Sequence, residues 1–103
     1  DARAALADAA GLCDPLPGSI ECLHTLADLQ DLAGEHRAAL ETLATASALD
    51  PTNVDTLLKT GIAHAGLREW DAAESSFLAA QRLRPSAPEP AENLEQLRVL
   101  RGR

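Results

Sequence analysis

Aromatic side chains are nearly missing from this chain of 103 residues, which has one Trp, one Phe and no Tyr. A core built from rings is excluded, so Leu and Ala must supply it from the 46% of residues that are hydrophobic. Small Ala faces let helices approach closely, which suits a stacked helical array. Basic residues are also few: 9 Lys and Arg stand against 16 Asp and Glu, for a net charge of −7. That argues against nucleic acid, whose binding rests on neutralising phosphates with Lys and Arg, and it favours a basic partner. No apolar run approaches the roughly 20 residues of a membrane span, so membrane insertion is not expected. No signal-peptide architecture is visible, and a cytoplasmic setting is expected. Methionine is absent and the chain opens at Asp1, which reads as a piece cut from a longer protein.

Motifs with a catalytic mechanism are missing too. There is no Gly-rich phosphate loop, no nucleophile elbow and no paired acids in a pocket-forming fold. Ser47, Ser75, Ser76 and the many carboxylates read as solvated helix residues, so neither an enzyme nor a cofactor is expected. No two histidines share an i, i+4 face and no Cys–His cluster has zinc spacing, which argues against a metal. The two cysteines, Cys13 and Cys22, bracket a linker over 14–20. They read mostly as small apolar fillers. A disulfide between them is also open, and would imply an oxidising compartment.

What the chain does have is a repeat. The stretch from Ala38 to Pro51 recurs from Ala72 to Pro85 at a constant offset of 34 residues. Ala38/Ala72, Ala39/Ala73, Ala46/Ala80, Leu49/Leu83 and Pro51/Pro85 are identical, and Leu43/Phe77 exchange one large apolar group for another. Upstream the same offset pairs Ile20 with Val54, Glu21 with Asp55, Leu23 with Leu57, Ala27 with Gly61 and Glu35 with Glu69. A fixed period of this size indicates a repeat array. The pattern resembles the tetratricopeptide repeat (TPR), a helix–turn–helix unit. Its signature positions fall on Leu23, Leu26, Ala27, Gln30, Ala39, Leu43 and Pro51, then on Leu57, Thr60, Gly61, His64, Ala73, Phe77 and Pro85. Gln30 and His64 depart from the family at its aromatic slot, as Thr60 does at its leucine slot. The resemblance implies an all-α fold, a short right-handed solenoid of antiparallel helix pairs.

Organised this way, the chain divides into a partial repeat over 1–17, repeats over 20–53 and 54–87, and a capping helix over 88–101. A helix is expected over 1–13, broken by Pro15-Leu16-Pro17-Gly18. Gly18 or Ser19 would cap the next, over 20–32. Gly34 and Gly66 should turn the chain between paired helices. Thr52 with Asp55, and Ser86 with Glu89, have capping-box spacing. In the last helix Glu95 takes the small slot and Arg98 the aromatic slot. A further apolar helix stacked there would bury charge at a cost of several kcal/mol. This segment therefore reads as a cap with a polar outer face, at which the array ends, while its start reads as cut.

In the TPR family the first helix of each unit lines a concave groove that holds a partner peptide. The resemblance places four columns there: Glu21, Asp55 and Glu89; His24, Leu58 and Glu92; Thr25, Lys59 and Asn93; and Asp28, Ile62 and Gln96. These columns are acidic, with Leu58 and Ile62 as an apolar pair. They fit a groove for a segment carrying Lys or Arg beside an apolar anchor, and equally the solvated face of a soluble protein. The family's two-carboxylate clamp for chaperone C-termini needs Lys, Asn and Arg here. His24, Asp28, Lys59, Glu89 and Asn93 match it only singly, which argues against that ligand. His36 and His64 are expected to be half-buried packing residues, and Trp70 and Phe77 core. A non-catalytic protein–protein interaction module, a scaffold or adaptor, is the expected function. An accessory domain of a larger enzyme, and self-association, are the alternatives.

Overall fold

A computed structural model of the protein describes residues 20–102. The expected helix over 1–13, the Pro-rich break, the Gly18 or Ser19 cap and Cys13 lie outside the described residues. Within them the chain forms five helices: α1 (Ile20–Leu32), α2 (His36–Leu49), α3 (Val54–Gly66), α4 (Trp70–Leu83) and α5 (Pro88–Arg101). Each helix packs on the next in sequence, and α3 also touches α1 and α5. Two layers result. The first helices of successive units, α1, α3 and α5, lie side by side, and α2 and α4 back them. No helix among the described residues is long and apolar enough to cross a membrane.

Pairs of small and large residues join the layers. Ala27, Ala39, Leu43 and Ala63 form one buried cluster. Ala73, Phe77 and Leu97 form another, with Leu58, Ala65, Trp70 and Leu94 packed against it. Burial of Leu43 or Phe77 is worth about 2–3 kcal/mol each. At the 34-residue offset, Ala27 corresponds to Gly61 and Leu43 to Phe77. The two substitutions compensate, because a Cβ on Gly61 would overlap the Phe77 ring. Cys22, half-buried on α1, is disulfide-bonded, so the apolar-filler reading does not hold for it.

The turns within the helix pairs share one design. Gly34 N–H donates to the Asp31 carbonyl at 3.0 Å and Glu35 N–H to the Gln30 carbonyl at 2.8 Å. One unit later, Arg68 N–H donates to Ala65 at 3.0 Å and Glu69 N–H to His64 at 2.9 Å. Both are Schellman caps, whose first residue beyond the helix is left-handed. Gly34 fills that position with φ 81° and Arg68 with φ 61°. The expectation that Gly66 turns the chain is therefore corrected. Gly66 is the last residue of α3, and a Cβ there would come 2.6 Å from the His36 ring. It makes room for a neighbour rather than for a bend.

Both capping expectations are also corrected. Asn53, not Thr52, caps α3, its Oδ1 accepting from the Thr56 N–H at 3.0 Å. Thr52 is held one residue too early, its N–H and hydroxyl donating to Asp50 Oδ1 at 3.1 and 2.9 Å. Ala87 is the N-cap of α5 and makes no side-chain cap bond. Pro88 and Pro90 at the first and third helical positions remove two of the N–H groups that a cap would satisfy. At the other end, Arg98 donates to Glu95 at 3.3 Å, and both side chains are exposed, so α5 turns a polar face to solvent.

Candidate functional site

The first helices of three successive units contribute to one hollow on the α1/α3/α5 layer. Glu21 and His24 come from α1, Asp55, Leu58, Lys59 and Ile62 from α3, and Glu89, Glu92 and Asn93 from α5; together they line about 540 Å³. They converge because exposed positions of parallel helices, one unit apart, recur at the same height. Nine of the twelve residues placed on the concave face by sequence are thus brought together. Thr25, Asp28 and Gln96 are not. The Thr25 hydroxyl donates back to the Glu21 carbonyl at 3.0 Å. Asp28 is occupied with Lys59, whose Nζ donates to both carboxylate oxygens at 2.9 and 2.8 Å.

That pair sets the electrostatics. The one lysine of the hollow is committed to a carboxylate outside its lining. Glu21, Asp55, Glu89 and Glu92 have no side-chain ion pair among the described residues. The hollow is left with four carboxylates that no side-chain cation pairs with among the described residues. His24 does not offset them: burial, then the Lys59 charge, lowers its pKa from 6.5, with Asp55 and Asp28 opposing. It stays neutral near pH 7. His24 Nε2 lies 2.6 Å from Thr56 Oγ1. A nucleophile–base pair could look like this, but Thr56 is only 2% exposed and its hydroxyl is out of reach of a substrate. The bond docks α1 on α3.

A second hollow of about 710 Å³ adjoins the first, sharing Ile62 and Asn93 with it. It lies toward the C-terminal ends of the same helices. Leu32, Ile62, Ala65, Trp70, Leu97 and Leu100 make it apolar, and Arg68 and Arg101 stand in its lining. Leu32 is 81% exposed and Ile62 47%. Of this lining, the sequence pattern placed only Ile62, Asn93 and Gln96 on the concave face. The missing signal was in the same offset one turn further along, where Leu32, Gly66 and Leu100 stack. Phe77 is buried as expected, whereas Trp70 is half-buried and lines this hollow.

His36 and His64 are half-buried as the pattern suggested, and each also meets a carboxylate across its turn. His36 Nδ1 lies 2.7 Å from Asp31 Oδ1 and His64 Nδ1 2.8 Å from Glu69 Oε1. Glu69 accepts from Arg37 as well, at 2.9 Å. Hydrogen bonds from His64, then Arg37, hold its carboxyl below the ordinary carboxylate value. Among the described residues no group of three or more His, Cys, Asp or Glu could hold a metal ion.

In sequence the chain matches no family model and no curated protein. In three dimensions it is similar to solved tetratricopeptide repeat domains. The first TPR domain of the human RPAP3 protein superposes with a TM-score of 0.86 at 16% identity, covering 98% of this chain and 80% of that one. The first TPR of Spaghetti (RPAP3), bound to the HSP90 peptide SRMEEVD, gives 0.85 at 16% identity, with 99% and 81% covered. The Yersinia enterocolitica type III secretion chaperone SycD, in complex with a peptide of the translocator YopD, gives 0.81 at 17% identity, with 97% and 82% covered. The fold is that of a TPR domain: an all-α stack of antiparallel helix pairs closed by a C-terminal helix.

Proposed function

We propose that this chain is a non-catalytic protein-binding module whose α1/α3/α5 face holds a basic segment of a partner protein. The observation that carries this reading is the set of four carboxylates, Glu21, Asp55, Glu89 and Glu92, gathered from three helices and none ion-paired among the described residues. The helix N-termini favour Glu21, Asp55 and Glu89 in their first turns, and a positive segment over the hollow would offset the repulsion among the four. The chaperone SycD and Spaghetti each hold a peptide on the same fold, which supports a peptide as the ligand class. The peptide SRMEEVD is rich in carboxylates, and the acidic hollow here would repel it. The partner of this chain is of opposite charge.

A peptide array varying only in charge tests the proposal. Lys- and Arg-containing segments should be retained and their Glu counterparts should not. Retention should fall between about 0.05 and 0.5 M salt as the carboxylates are screened. The Glu21→Lys/Asp55→Lys double variant should lose at least tenfold in affinity, about 1.4 kcal/mol. Equal retention of acidic and basic segments, or an unchanged affinity in the variant, would remove the acidic face from consideration.

A further inference from the structure

We propose that the partner lies on this face in one polarity, its basic residues over the acidic hollow and an apolar anchor in the adjoining hollow beside Trp70. This rests on the proposed function and adds where the anchor goes. The two hollows share Ile62 and Asn93, so they adjoin on one face within reach of a single segment. Their charges differ. At the N-terminal ends of the helices stand four unpaired carboxylates. At the C-terminal ends, Asp31 is hydrogen-bonded to His36, and Arg101 is paired with Asp71 at 2.8 Å and Glu74 at 3.3 Å. Arg68 has no ion pair among the described residues and stands in the lining of the apolar hollow. Its guanidinium repels a lysine or arginine from that end, while Leu32, Ile62 and Leu100, all exposed, offer cover for an apolar side chain. Along α3, Asp55 and Ala65 are separated by about 15 Å at the helical rise. An extended chain spans that distance in about five residues.

The test uses a synthetic peptide carrying two lysines and two leucines joined by a flexible spacer of about five residues. Trp70 is the only tryptophan, so its emission reports on the apolar hollow, while calorimetry reports binding anywhere. The Leu/Lys peptide should bind and shift Trp70 emission saturably. Replacing its lysines with glutamates should weaken binding at least tenfold. Leu32→Ser should weaken it several-fold with the helical spectrum and melting temperature unchanged, because Leu32 is 81% exposed and outside the core. Arg68→Glu should strengthen binding of a peptide with lysines on both sides of its leucines. If the Leu/Lys peptide binds by calorimetry but leaves Trp70 emission unchanged and ignores Leu32→Ser, the anchor lies elsewhere. The polarity is then overturned while the acidic-face reading stands. If no lysine peptide binds at all, both fall.

Discussion

Gly61 has no room for a methyl group. A Cβ there would enter the Phe77 ring, whereas one unit earlier Ala27 carries its Cβ comfortably in the cluster that holds Leu43. The two units have solved one packing problem with different volumes, and a double-mutant cycle checks it. Gly61→Ala should cost about 1–3 kcal/mol by overpacking. Phe77→Leu alone should cost a similar amount through the cavity it leaves. The pair together should cost less than the sum, because it rebuilds the Ala/Leu arrangement of the first unit. Chemical denaturation of the four proteins measures this. His24 supplies a second residue-scale test. Its pKa is lower folded than unfolded, so the unfolded chain takes up a proton first as pH falls. Its contribution is full above about pH 6.5 and is lost as pH drops through the folded value. The difference in melting temperature between the wild type and His24→Leu should therefore shrink from about pH 7 to about pH 5. Glu69, also lowered, loses its contribution only in the more acidic range below its ordinary value of 4.5, which keeps the two windows apart.

Helix ends show where local sequence signals fail and why. Thr52 and Asp55 have the spacing of a capping box, yet Asp50 captures Thr52 and leaves Asn53 to cap α3. Sequence spacing cannot rank two neighbouring caps, because the choice depends on which residue adopts the extended geometry. Asn53→Ala should cost about 1 kcal/mol, whereas Ala87→Asn should gain little because Pro90 offers no N–H at the third helical position. The turns carry a similar lesson. Gly34 announces a left-handed residue, while Arg68, at the same place one unit later, does not, and its φ of 61° is recognisable only from the repeat offset. Arg68→Gly should raise stability by about 1 kcal/mol, by removing the cost of a side chain in that conformation. No rise in the denaturation midpoint would mean that contacts of the Arg68 side chain already offset the strain.

At the scale of the whole molecule, the period carried most of the information. Residues 34 apart occupy equivalent places, so Glu21, Asp55 and Glu89 could be put in one column from the sequence, and the helix layers bring them into one hollow. What the period could not show was how ion pairs divide that surface. Lys59 and Asp28 sit in different columns, and their pairing, which leaves the remaining carboxylates unbalanced, depends on how α1 leans on α3. Nor could it show the apolar hollow, because Trp70 reads as core until its half-exposure is seen. The most direct measurement is a map of backbone amide shifts as a lysine-bearing peptide is added to isotopically labelled protein. Shifts should concentrate on Glu21, His24, Asp55, Leu58, Glu89 and Glu92, and leave Glu41, Thr45 and Ser75 on α2 and α4 unmoved. Shifts confined to α2 and α4, with the α1/α3/α5 face silent, would contradict the claim that this face is where the protein holds its partner.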